Sequence, residues 1–208
     1  MLAASPEAKA AAPAPPSRLA TAIRFSEDRT HRSYDADAVR RFWRVLLRAD
    51  TVLTHFRSGF LGKVSPVHFF WGSFDLAVTR FSGRRAPPRP GGIPGLSDAV
   101  TREAYSHEVS SAGFWPGNDG FPRAAFYSYA YPEPAGFSGK AVTPGASYNK
   151  ELGEFVLPYD QMRQAADPEA TLLDFLTRTY AAAADAGQWD RAALECGLGV
   201  PGRVRPMP

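Results

Sequence analysis

The stretch "SPVHFFWGSFDLAVTRFSGR", Ser65 to Arg84, constrains the fold more than any other part of the chain. Two runs rich in aromatic and β-branched residues flank Gly72-Ser73, a pattern typical of two antiparallel strands joined by a tight turn. A two-residue turn pairs His68 with Ala77 and Phe70 with Asp75. Because side chains alternate along a strand, one face of this hairpin is predicted to be the core face. That face comprises Val67, Phe69, Trp71, Phe74, Leu76 and Val78.

The opposite face of the hairpin mixes polar and apolar side chains: His68, Phe70, Asp75, Ala77 and Thr79. It is too apolar for a fully solvated surface and too polar for a core, which is typical of the wall of a pocket or an interface. The next strand candidate, "EAYSHEVSSAGF", adds either His107 or Glu108 to this face, since neighbours point in opposite directions. In "AAFYSYAY", Tyr127, Tyr129 and Tyr131 share one face and form a hydroxyl-bearing aromatic wall.

Two amphipathic helices are predicted on either side of the strands. Asp35 is suited to cap a helix that extends to about Arg57, because apolar residues recur there at steps of three and four. Asp167-Pro168-Glu169 is a typical helix start, and Gly187 ends the second helix. With a short helix near residues 189–194 and a further strand in "LGEFVLPY", the pattern indicates an α+β fold. We expect a mainly antiparallel sheet of about five strands with helices packed on one face.

The chain divides into three segments by composition. Residues 1–22 are rich in Ala and Pro without periodicity, which predicts a disordered arm. Residues 23–196 are predicted to form a single α+β domain, and residues 197–208 a loose C-terminal tail.

Composition narrows the classes of partner. Lys and Arg exceed Asp and Glu by only 24 to 21 and are spread along the chain, which argues against nucleic-acid binding. No apolar run approaches the ~18 residues of a membrane span, so no membrane contact is predicted. One cysteine, Cys196, excludes an internal disulfide and favours a cytoplasmic location.

Acid and base catalysis is one hypothesis for the polar hairpin face. His68 with Asp75, or His107 with Glu108, has the residue types needed to move protons. Two imidazoles and a carboxylate can also hold a divalent metal, so His68 and His107 are candidate metal ligands, although no HxxxH or HExxH spacing supports a metal. The sequence identifies no other cofactor. The alternative to a catalytic or metal site is that the histidines are partly buried and hydrogen bonded.

An anion site is the second hypothesis. Lys63, Arg80 and Arg84 bracket the hairpin, and a guanidinium can hold a carboxylate or phosphate through paired hydrogen bonds. Together with Tyr127, these are the predicted substrate-binding residues. The alternative is that the cations pair with nearby acids or are solvated.

Five segments carry a resemblance to a known family: "DRTHRSYD", "GKVSPVHFFWGSFDLAVTRFSGR", "EAYSHEVSSAGFWPG", "AFYSYAYPEP" and "LGEFVLPY". On these motifs the chain resembles uncharacterised, mostly bacterial proteins catalogued as a domain of unknown function. It is similar to the C-terminal half of longer members, whose N-terminal half looks like a diverged copy. The resemblance implies that one half alone exposes the surface that the other half covers in longer members, so a homodimer is expected.

Two functional expectations follow. The first is an enzyme or binding protein for a small organic molecule, with an anion as one option, that uses a His- and Asp-lined pocket. The alternative is a non-catalytic domain whose polar hairpin face forms a homodimer or pseudo-dimer interface.

Overall fold

A computed structural model describes residues 23–30, 32–92, 97–118, 120–197, 199–200 and 202–204. The arm predicted for residues 1–22 lies outside the described residues, as do residues 198, 201 and 205–208 of the predicted tail. In the described part, no helix is both long enough and apolar enough to span a membrane.

The long helices begin where their capping residues predict. Helix α1 spans Ala36–Ser58, and the Asp35 carboxylate accepts hydrogen bonds from the first-turn backbone amides of Asp37 and Ala38. Helix α4 spans Pro168–Ala186, with Asp167 accepting from the Ala170 amide. The short helices are α2 (Asp98–Ala104), α3 (Tyr159–Arg163) and α5 (Arg191–Leu194).

Six antiparallel strands form one sheet in the order β1-β2-β3-β4-β6-β5. The class predicted from the sequence, α+β with a mainly antiparallel sheet, is confirmed. The strands are β1 (His68–Phe70), β2 (Asp75–Arg85), β3 (His107–Trp115), β4 (Ala125–Tyr131), β5 (Ser147–Asn149) and β6 (Glu154–Pro158).

The core lies between the sheet and the two long helices. The pairing of the strands places four buried residues side by side across four strands: Leu76, Phe114, Phe126 and Leu157. Helix α1 contributes Leu53 and Phe56 to the same core, and α4 contributes Phe175, Leu176 and Tyr180. We call this side of the sheet the helix face and the other side the open face.

The hairpin has the predicted register but a different turn. His68 pairs with Ala77 and Phe70 with Asp75, as expected. The turn, however, spans four residues, and Phe74 adopts a φ of 59°, which interrupts the alternation of side chains. Trp71 and Phe74 are therefore 56% and 53% exposed and, contrary to the prediction, are not part of the buried core, although the Phe74 ring still contacts Phe42 of α1 and Phe69.

Some elements were not predicted. Helix α2 occupies the start of the segment assigned to the third strand, and β5 is an additional edge strand. Helix α3 directly continues β6. Val39, one of the apolar residues that recur at steps of three and four in α1, is about half exposed.

Candidate functional site: a pocket of carboxylates and tyrosines

A concave site of about 250 Å³ lies on the open face near the β1–β2 turn. It is formed by the turn, by the end of β3, by the middle of β4 and by the start of β6. We call it the carboxylate–tyrosine pocket, and its lining residues are Ser73, Asp75, Trp115, Tyr127, Tyr129, Leu152 and Glu154.

Tyr127 and Asp75 form the best-defined contact of this pocket. The Tyr127 hydroxyl donates to Asp75 Oδ2 over 2.6 Å, and the Ser73 hydroxyl donates to Asp75 Oδ1 over 2.6 Å. Tyr127 is only 9% exposed. Its burial, and to a smaller extent the nearby Asp75 carboxylate, raise the pKa of Tyr127 well above the ordinary value. Tyr127 therefore stays protonated and acts as a fixed donor to Asp75.

Gly113 makes room for that hydrogen bond. It pairs with Tyr127 on β4 and with Ala77 on β2, so the tyrosine ring has to cross β3 to reach Asp75. A Cβ atom on Gly113 would lie 2.8 Å from the Tyr127 hydroxyl and 2.3 Å from the Leu76 carbonyl oxygen. The absence of a side chain at this position is thus a condition for the geometry of the pocket.

Glu154 is the second carboxylate of the pocket. Burial, and then the negative charge of Asp75, raises the pKa of Glu154 from 4.5 to about 7. Among the described residues, no side chain or amide donates a hydrogen bond to its carboxylate, and no cation pairs with it. Glu154 therefore offers an unoccupied acceptor that can gain or lose a proton near neutral pH.

Tyr129 extends the wall beside Tyr127. The two rings are stacked with centroids 6.1 Å apart, and the Tyr129 and Tyr105 hydroxyls are hydrogen bonded over 2.7 Å. Burial, and then Tyr105, raises the pKa of Tyr129 well above its ordinary value. The predicted tyrosine wall is present, and its hydroxyls are held by neighbouring groups.

The two histidines of the predicted site lie at opposite ends of the sheet. His68 pairs with Ala77 near the hairpin turn, whereas His107 pairs with Arg85. Eight residues of extended strand separate Ala77 from Arg85, which corresponds to roughly 26 Å. His68 is exposed and its ring lies 4.8 Å from that of Phe70, while His107 Nδ1 lies 3.1 Å from the Ser106 hydroxyl.

This separation removes the geometry on which the metal hypothesis depended. Among the described residues, no group of three or more His, Cys, Asp or Glu side chains is placed to hold a metal ion. His68 and His107 cannot coordinate one ion in this fold. Of the four predicted catalytic residues, only Asp75 lies in the pocket.

Glu108 and Arg84 form an ion pair with each other and do not line the pocket. The Arg84 guanidinium donates to Glu108 Oε2 over 2.7 Å and also to the carbonyls of Gly187 and Gln188 at the end of α4. Glu108 also accepts from the Ser82 hydroxyl. These contacts link the sheet to α4, so both residues have structural partners.

Arg80 and Lys63 also lie outside the pocket. Arg80 is 4% exposed on the helix face, where its guanidinium lies 3.5 Å from the centroid of the Phe56 ring and donates to the Phe56 carbonyl. Burial lowers the pKa of Arg80 to about 10, so the side chain remains charged at neutral pH. The Lys63 ammonium lies 4.8 Å from the centroid of the Phe81 ring. Of the predicted substrate-binding residues, only Tyr127 lines the pocket.

A second cavity of about 170 Å³ lies between α1, α3 and α4. Its walls are mostly apolar, and its charged side chains have partners. Arg48 lies 3.7 Å from Glu169, and Arg163 donates to Asp160 over 2.6 Å. It therefore provides fewer free polar groups than the carboxylate–tyrosine pocket.

Sequence reasoning missed Glu154, Trp115, Leu152 and Ser73 as pocket residues. Glu154 carries a usable signal, because it is an acid at the start of a strand whose alternate residues, Phe155 and Leu157, are buried. That alternation places Glu154 on the open face, but not beside Asp75. The missing information is that β6 lies next to β4 in the sheet.

Fold and pocket together define an α+β protein whose antiparallel sheet carries helices on one face and a concave acidic and aromatic site on the other. The chain belongs to DUF5996, a family of unknown function, whose family model matches residues 4–196. No curated protein and no solved structure matches the chain.

Proposed function

We propose that this protein binds a small polar organic molecule in the carboxylate–tyrosine pocket and that Glu154 exchanges a proton there. The observation that carries the proposal is the pairing of two carboxylates in different environments. Asp75 accepts two hydroxyl hydrogen bonds, whereas Glu154 accepts none from the described residues and has its pKa raised to about 7. Such a pair can supply a fixed negative charge and a proton donor side by side.

The size and composition of the pocket support a small ligand. Its 250 Å³ correspond to about eight water molecules at their ~30 Å³ share of the liquid. Trp115 and Leu152 add apolar surface to the polar groups, and a mixture of this kind orients a ligand while removing it from water. We also propose a cytoplasmic location, because the single cysteine suits a reducing compartment.

A ligand screen by saturation-transfer NMR tests this function. The library should contain neutral, cationic and anionic small molecules, and each hit is repeated on two variants. Glu154→Ala removes a pocket carboxylate, whereas His68→Ala removes an exposed side chain of the same sheet face outside the pocket. We expect hits that are lost in Glu154→Ala and kept in His68→Ala. Hits that survive both substitutions, or no hits at all, would contradict the proposal.

Exposed aromatic residues favour a second candidate, homodimerisation. Phe70, Trp71 and Phe74 at the hairpin turn are each at least half exposed. Half of ~200 Å² per ring gives roughly 300 Å² for the three, well below the ~800 Å² per partner of a typical stable interface. A dimer would therefore have to include further apolar surface. Helix α1 offers it in a stripe with a spacing of four residues: Val39, Trp43 and Leu47.

Analytical ultracentrifugation tests the dimer. We expect a dimer at micromolar concentration that dissociates in the double variant Trp43→Ser/Trp71→Ser. Substitution of Trp115 by Phe is a control that leaves this surface unchanged. A wild-type protein that sediments as a monomer over the same concentrations would rule out this candidate and leave the ligand-binding proposal intact.

A further inference from the structure

The chemistry of the pocket lining restricts the charge of a ligand. Two of its seven residues are carboxylic acids, and none is a lysine, arginine or histidine. The three cations predicted to bind an anion have other partners. Arg80 packs on Phe56 in the core, Arg84 pairs with Glu108, and Lys63 lies on the Phe81 ring. An anion at this site would face Asp75 and Glu154 without a compensating positive charge.

The available hydrogen-bonding groups of the pocket are mainly acceptors. The Tyr127 hydroxyl already donates its proton to Asp75, as does the Ser73 hydroxyl. An ionised carboxylate can accept further hydrogen bonds at each oxygen, and Glu154 accepts none from the described residues. The group that complements two neighbouring acceptors is a charged donor such as an ammonium.

Aromatic rings surround these acceptors. Trp115 and the stacked pair Tyr127 and Tyr129 belong to the lining, and a cation near an aromatic ring is attracted by its electron-rich face. Arg89 is a cation near this wall, and its guanidinium lies 3.8 Å from the centroid of the Tyr105 ring. Tyr105 is the hydrogen-bond partner of Tyr129 and is not part of the lining, so Arg89 is separated from the pocket by these two rings.

We infer that the ligand of the carboxylate–tyrosine pocket is a small organic cation, a primary or secondary amine with an apolar or aromatic body. Its ammonium binds between Asp75 and Glu154, and its body packs on Trp115 and Leu152. This inference rests on the proposed function, because it names the charge class of the molecule bound at the same site.

Isothermal titration calorimetry with three matched probes tests the inference on the full chain at pH 8. Benzylamine, benzyl alcohol and benzoate have similar shapes and carry positive, zero and negative charge. We expect the dissociation constant of benzylamine to be at least tenfold lower than that of benzyl alcohol, and benzoate not to bind. Competition between benzylamine and any hit of the NMR screen shows whether both occupy one site.

Two carboxylate-to-amide variants locate the binding. Glu154→Gln should weaken benzylamine binding at least tenfold, because it removes a charge that faces the ligand. Glu151→Gln makes the same change of net charge at an exposed position of the adjacent turn and should have less than a twofold effect. Circular dichroism verifies that both variants are folded. Equal effects of the two substitutions would mean a general electrostatic attraction and would overturn the inference.

The outcomes separate this inference from the proposed function. If benzyl alcohol or benzoate binds as tightly as benzylamine and is lost in Glu154→Ala, the pocket is a binding site but the ligand class is wrong. If none of the probes binds and the NMR screen yields no hit that depends on Glu154, both proposals fail. If the hits that depend on Glu154 are all neutral or anionic and benzylamine does not bind, the cationic class is rejected alone.

Discussion

Replacement of Glu154 by glutamine should stabilise the fold at alkaline pH and have little effect at acidic pH. Burial and the charge of Asp75 raise the pKa of Glu154 from 4.5 to about 7 in the folded protein. The protonated form is thus favoured in the fold, and the cost of ionisation grows as the pH rises. In the unfolded chain the group titrates near 4.5, so stability falls between about pH 4.5 and 7 and stays lower above that range.

The expected magnitude follows from this difference. A pKa difference of about 2.5 at 1.36 kcal/mol per unit corresponds to about 3 kcal/mol at pH 8. The amide cannot ionise and keeps a similar volume, so the variant avoids this cost. We therefore expect the free energy of unfolding of Glu154→Gln, relative to wild type, to increase by up to about 3 kcal/mol between pH 4.5 and 8.

Urea unfolding followed by circular dichroism at half-unit pH intervals measures this difference. The titratable groups around Glu154 are Asp75 on β2, Tyr127 and Tyr129 on β4, and Tyr148 on β5. The tyrosines have raised pKa values and do not titrate in this range. Asp75→Asn removes the neighbouring charge and should make the pH dependence shallower. A difference between wild type and Glu154→Gln that is constant from pH 4.5 to 8 would refute the reasoning.

Three further substitutions probe the packing of the sheet, each measured by urea unfolding. Gly113→Ala should lower the free energy of unfolding by about 2 kcal/mol or more, because its Cβ would lie 2.3 Å from the Leu76 carbonyl oxygen; a change below 0.5 kcal/mol would contradict the tight approach of the strands. Arg80→Ala should cost about 3 kcal/mol through the cavity left among buried rings, and Arg80→Met should cost clearly less because it refills that space; equal losses would argue against a packing role. His68→Ala should change the stability by less than about 0.5 kcal/mol, since the side chain is exposed, and a larger loss would indicate a structural role that its contacts do not explain.

The register of the hairpin could be predicted because the centre of the turn at Gly72-Ser73 fixes which strand positions pair, and alternation of apolar residues then gives the face of each side chain. The predicted burial of Trp71 and Phe74 was wrong, since alternation applies only within the strands and the turn is two residues longer than expected. Alternation also places Arg80 on the side of Leu76 and Val78, and the structure agrees with that placement. Arg80 was predicted to bind substrate because of its charge, although its strand position already places it on the helix face.

The candidate site could be predicted only in part. Asp75 and Tyr127 were both selected, and the structure joins them by a hydrogen bond. Alternation gives the face of a residue but not its position along the sheet, so His107 was placed near His68 although it pairs with Arg85 at the far end. The position of Glu154 depends on the contact between β4 and β6, which is a non-local pairing without a short-range signal.

The two carboxylates connect the stability of the fold with the proposed ligand. Without a ligand, burial of Glu154, and then the negative charge of Asp75, favour its protonated form. A bound ammonium would supply the missing positive charge, so Glu154 would release its proton as the ligand binds. The affinity for a cation should consequently rise with pH up to about 7, over the same interval in which the unliganded fold loses stability. If the proposed ligand class is correct, Glu154 would account both for a destabilised free state and for a preference for cations, because an unpaired buried carboxylate is costly only until a cation neutralises it.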